Sequence, residues 1–62
     1  MDSRAIIRIL KDNGWYAVSK SGSHLQFRHA RRKGRVTVPH PKKDIPMGTL
    51  KSIERQSGIK FS

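Results

Sequence analysis

The run Ser21-Gly22-Ser23-His24-Leu25-Gln26-Phe27-Arg28-His29 constrains this chain more than any other stretch. Successive strand side chains point to opposite faces of a sheet, so Leu25 and Phe27 share one face while His24, Gln26 and Arg28 share the other. One face can be buried and the other left in water. Gly22 is free to take a positive φ that other residues resist, which makes Ser21-Gly22-Ser23 a hairpin loop. The strand that follows the loop therefore pairs antiparallel with the strand that precedes it.

That preceding strand is Trp15 to Lys20, rich in the aromatic and β-branched residues that suit a pleated surface. Tyr16 and Val18 fall on one face and Trp15 and Ala17 on the other, which leaves its inward side open. Trp15 and Tyr16 offer rings for base stacking, although a tryptophan in so short a chain is expected to anchor the core. Beyond His29, Ala30-Arg31-Arg32-Lys33-Gly34 reads as a second turn with three cations at its tip, and Arg35-Val36-Thr37-Val38 as a third strand. The three make a meander.

Helical patterns flank the meander. From Ser3 to Asn13, Ile6, Ile7 and Leu10 recur at helical spacing, Ser3 is the expected N-cap, and Gly14 ends the last turn. Pro39-His40-Pro41 closes the third strand, because proline lacks a ladder N–H, and Lys42-Lys43 extends a rigid basic connection. Pro46 then starts a helix in which Met47, Leu50, Ile53 and Ser57 share a face until Gly58. Ile59 and Phe61 are expected to fold back. The order is α-β-β-β-α in an α+β fold, with both helices on one face of a three-stranded antiparallel sheet and His24, Gln26, Arg28 and Thr37 on the other.

Composition narrows the class. With 62 residues there is one domain, spanning 1–62, close to the lower limit for folding without disulfides or metal. Such a body leaves no room for a large cavity, so any site is expected to be small and flat. Fourteen Lys and Arg against four Asp and Glu give a formal charge of +10, which points to polyanions or an acidic protein as partners. The absence of cysteine removes thiol chemistry and favours a cytoplasmic origin. Arg8 interrupts the apolar run Ala5-Ile6-Ile7, so no membrane span is expected.

Gly14-Trp15, Gly22-Ser23-His24, Val36-Thr37-Val38-Pro39-His40 and Pro46-Met47-Gly48-Thr49-Leu50 occur in that order along the chain. Together they resemble the HicA family of bacterial toxin ribonucleases, over nearly the whole length and with no departure at the motif positions. The resemblance implies a double-stranded-RNA-binding-domain-like fold, cleavage of mRNA, neutralisation by a HicB antitoxin, and a catalytic role for the histidine of the glycine-serine-histidine motif, here His24. No cofactor is implied.

Metal-free RNA cleavage starts with the ribose 2′-OH attacking phosphorus and needs a base, an acid and positive charge at the phosphate. Histidine suits the proton transfers, since an ordinary imidazole pKa of about 6.5 keeps both forms populated near neutrality. Gly22 and Ser23 position it. Gln26 and Arg28 continue its row, Lys42 and Lys43 are candidate phosphate cations, and Arg31 and Arg32 extend the basic surface. His40, beside Pro39 and Pro41, is a candidate substrate contact or second acid; His29, on the Leu25 and Phe27 side, is not. His24 and His29 fall on opposite faces and the four acids are scattered, so neither a zinc site nor a carboxylate pair is expected. Two other readings remain: a non-catalytic RNA-binding module of the same fold, and a DNA-binding helix, which the sparse base readers Lys51, Arg55 and Gln56 disfavour.

Overall fold

A computed structural model describes residues 1–61. Helix α1 spans Ser3–Asp12, and it buries Ile6 and Leu10 completely. Its N-cap is Asp2 rather than Ser3: the Asp2 carboxylate accepts the Arg4 N–H at 2.8 Å from an extended backbone. Both residue types cap well, and the choice is decided by where the Ser3 hydroxyl is needed. Ser3 is fully buried. Its Oγ accepts the Lys42 N–H at 3.0 Å and lies 2.8 Å from His40 Nδ1.

The Arg4 backbone N–H, then the Arg4 side chain, hold the Asp2 carboxyl below its ordinary pKa. A carboxylate with a depressed folded-state pKa stabilises the fold above its unfolded pKa, and the contribution disappears as pH falls through the folded value. Asp2→Asn keeps a capping oxygen that does not titrate. In melts across the acid range, the parent should therefore lose thermal stability relative to Asp2→Asn. Parallel curves would show that the cap carries no pH dependence.

The sheet has strand order β1-β2-β3, all antiparallel, with β1 at Trp15–Ser21, β2 at His24–His29 and β3 at Arg32–Pro39. Phe27 lies opposite Ala17 on one side and Val36 on the other, and Leu25 lies opposite Val38. Trp15 is buried and Tyr16 is 51% exposed, which settles the inward side of β1. Val18 is the extra residue of a bulge between Ala17 and Ser19.

β3 begins three residues earlier than the sequence pattern suggests, and the second turn is only Ala30-Arg31. The ladder passes from Phe27–Val36 to His29–Arg32, so Arg28 faces three residues of β3. Gly34, at φ 84°, lies inside this bulge instead of the turn. A positive φ serves either purpose.

Both helices pack on the inward face of the sheet. α2, at Met47–Ser57, buries Leu50, Ile53 and Ser57 and ends at Gly58 with φ 75°. Met47 does not join them; it is 62% exposed, and Ile45 from the preceding connection enters the core. Ile59 and Phe61 fold back against the core as expected.

The β3–α2 connection is fastened to the start of the chain. Ser3 N–H donates to the Lys42 carbonyl at 2.8 Å, Ile45 N–H donates to the Met1 carbonyl at 2.9 Å, and the Met1 ammonium lies 3.0 Å from Asp44 Oδ1. With its oxygen accepting from Lys42, the Ser3 hydroxyl is best assigned as donor to His40 Nδ1. The His40–Pro41 peptide is cis.

Candidate active site

His24 is the first residue of β2, opposite Ser21 on β1 and Pro39 on β3, and its side chain is exposed. The turn before it has two residues. Gly22 has φ 58° and Ser23 does not have a positive φ, the combination a type II′ hairpin turn requires. The Ser23 carbonyl accepts the His40 N–H at 2.7 Å, so the turn is tied to the β3–α2 connection. His24 thus stands on a backbone anchored from both sides.

The surface beside it is not flat. A groove of about 440 Å³ runs from Ser23 and His24, past Thr37 and Pro39, to α2. Pro41, Lys42 and Pro46 line it from the connection, and Thr49, Ser52 and Gln56 line it from the helix. The groove exists because α2 reaches the outer edge of the sheet: Gln56 Oε1 accepts the Thr37 N–H of β3 at 3.0 Å. Gln56 Nε2 in turn donates to Ser52 Oγ at 3.1 Å. Sequence reasoning missed Thr49 and Ser52, and met Gln56 only as a base reader. Their polar spacing along one flank of a helix was the available signal, but only the register of Thr37 against Gln56 shows that this flank meets His24.

The other candidates divide. Lys42 shares the groove with His24, whereas Lys43 and His40 line a second depression with Asp2, Ser3 and Arg4. His40 is half-buried, with Nδ1 committed to Ser3. Gln26 is on the open face, opposite Thr37, and accepts a hydrogen bond from Arg35. Arg28 is exposed on the same face but four residues from His24, about 13 Å along the strand. It therefore reaches a different phosphate from the one at His24. Arg31 and Arg32 lie at the opposite end of the β2–β3 hairpin, five strand steps or about 16 Å away. A Cβ on Gly58 would come within 2.8 Å of Arg32 Nη1, so this guanidinium lies over the end of α2.

His29 is a structural residue. Nδ1 accepts the Arg31 N–H at 3.0 Å, so the ring proton is on Nε2, which donates to the Asn13 carbonyl at 2.9 Å. The ring meets Trp15 edge-on at 5.1 Å. A Cβ on Gly14 would lie 2.8 Å from Nε2, which explains the glycine there. Among the described residues no three His, Asp or Glu side chains gather as metal ligands, and no helix is long and apolar enough to cross a membrane.

A family model described as the HicA toxin of bacterial toxin-antitoxin systems matches residues 3–59. The chain belongs to the HicA toxin family. Among solved structures, a chain of the HicA3 and HicB3 toxin-antitoxin complex is 33% identical, with a TM-score of 0.85 over 100% of both chains. No curated protein matches. For this HicA toxin, the α-β-β-β-α fold and the glycine-serine-histidine turn expected from sequence are both present.

Proposed function

We propose that this HicA toxin is an RNA endonuclease that cleaves mRNA without a metal, acts in the cytoplasm as one domain, and is held inactive by a HicB-type antitoxin. One observation carries the reading: His24 is exposed at a groove that also holds Lys42 and, among the described residues, has no carboxylate in its lining. A proton-transfer group and a cation can then meet the same phosphodiester. His24 moves a proton at the 2′-OH or at the leaving 5′-oxygen, and Lys42 offsets charge on the phosphorane. Arg28, Arg31 and Lys33 hold the strand farther along. The partner is proposed because the related chain was solved with HicB3. An acidic antitoxin surface laid over His24 and its cations would silence both functions at once.

The deciding experiment incubates the protein with single-stranded RNA in excess chelator. His24-dependent cleavage supports the enzyme, and retention without cleavage supports a binding module instead. The electrostatic part is tested separately. With four to six phosphate contacts, log affinity for single-stranded RNA should fall against log salt with a slope of about −3 to −4. A slope near zero would remove the role given to the cations.

A further inference from the structure

We propose that the groove between β3 and α2 is a nucleotide subsite, which takes one unpaired ribonucleotide flanking the cleaved phosphate and reads its base with Thr49 and Ser52. The proposal rests on the RNA-cleaving reading of His24 and adds what that reading lacks, a means of choosing where to cut.

The groove holds about 440 Å³, within the rough 300–1,000 Å³ of sites that enclose small ligands. That is room for a single base with its ribose. Its two walls differ in chemistry. Pro39, Pro41 and Pro46 supply one wall; their rings have no polar side-chain atom, and they are ordered before any ligand arrives because proline fixes φ. Flat apolar faces of this kind suit a base or the face of a sugar. Thr49, Ser52 and Gln56 of α2 supply a polar wall. Each hydroxyl both donates and accepts, as the edges of bases do.

Gln56 adds order to that wall. Its oxygen is engaged by the Thr37 N–H and one amide hydrogen by Ser52. The amide is thereby oriented, and two donors on Nε2 leave one hydrogen for a ligand. Lys42 and His24 sit at the phosphate end, and none of the groove's described residues is acidic. An acidic peptide would satisfy Lys42 and hydrogen-bond to the polar wall, but it brings no flat ring to the proline faces. A nucleotide uses the cation, the apolar wall and the polar wall together. Unpaired bases are the usual target of sequence-specific RNA readers, because only then are their edges accessible.

The test uses a Thr49→Val, Ser52→Ala double variant, which removes both hydroxyls with helix-compatible residues and leaves Gln56 held by the Thr37 N–H alone. Sequencing the product ends from a mixed-sequence RNA should show a base preference of about tenfold or more at one position beside the cut in the parent. In the double variant the preference should fall towards unity, with cleavage still dependent on His24. Separately, nucleoside monophosphates titrated into His24→Ala protein should shift the backbone amide resonances of Thr49, Ser52 and Gln56. Identical preferences in parent and double variant, or nucleotides that leave those resonances unmoved, would overturn the subsite. A parent that does not cut RNA while nucleotides still move the resonances would sink the nuclease reading and leave the subsite standing.

Discussion

His24→Ala should lower RNA cleavage by roughly 10²–10⁴-fold, the range for loss of one general acid or base, while the protein stays folded and still binds RNA. The side chain is exposed and makes no described hydrogen bond, so its removal leaves no cavity and no orphaned partner. Stability should change by no more than about 0.5 kcal/mol, as for most surface substitutions. Affinity for RNA should persist because Arg28, Arg31, Lys33 and Lys42 remain. Growth arrest on expression should be lost together with cleavage. The contrast is His40→Ala, which removes the partner of the buried Ser3 hydroxyl and should weaken the fold more than the chemistry. Folded His24→Ala protein that cuts at the parent rate would remove the central claim.

Phe27→Ala should cost about 3–5 kcal/mol, the usual range for emptying an aromatic site in a core. Total stability for a domain of this length is only about 3–9 kcal/mol, so the loss removes about a third of it or more and unfolds most of the population where the parent lies at the low end. The position explains the severity. Phe27 is fully buried on the central strand, between Ala17 and Val36, and the small Ala17 cannot close the gap. Gln26 and Arg28 are its neighbours in sequence, so the open face loses its support as well. Urea unfolding measures the effect; a loss below about 1.5 kcal/mol would mean that the ring is not central to the core.

These two residues also show what was legible in the sequence. The period-two alternation placed Phe27 inside and His24 outside, since a slip of one residue would expose Phe27 and Leu25. The glycine-bearing hairpin and the ends of α2 at Pro46 and Gly58 followed from turn and cap chemistry, but Ser21, expected in the loop, is the last residue of β1 and the turn is only Gly22-Ser23. Long-range choices did not follow from such chemistry. Asp2 and Ser3 are adjacent and equally able to cap α1, and the decision comes from Lys42 and His40, some forty positions away. Gly34 signals a positive φ without saying whether a turn or a bulge uses it. Above all, the groove is formed by Thr37 meeting Gln56, so its shape was invisible although most of its residues were ordinary loop and helix positions. The position of the histidine could be read locally, and the walls beside it could not.

One contact has a consequence beyond the site. β3 is an outer strand, and an outer strand with free N–H groups invites pairing with another chain. Gln56 occupies Thr37 from within the same molecule. A residue at 56 that cannot accept this N–H reopens the margin of the sheet, so on the proposed subsite a change in base reading and clumping of molecules strand to strand would be linked at that position. Thr49 and Ser52 have no such second duty among the described strand contacts. Change at Thr49 and Ser52 is thus less restrained than change at Gln56.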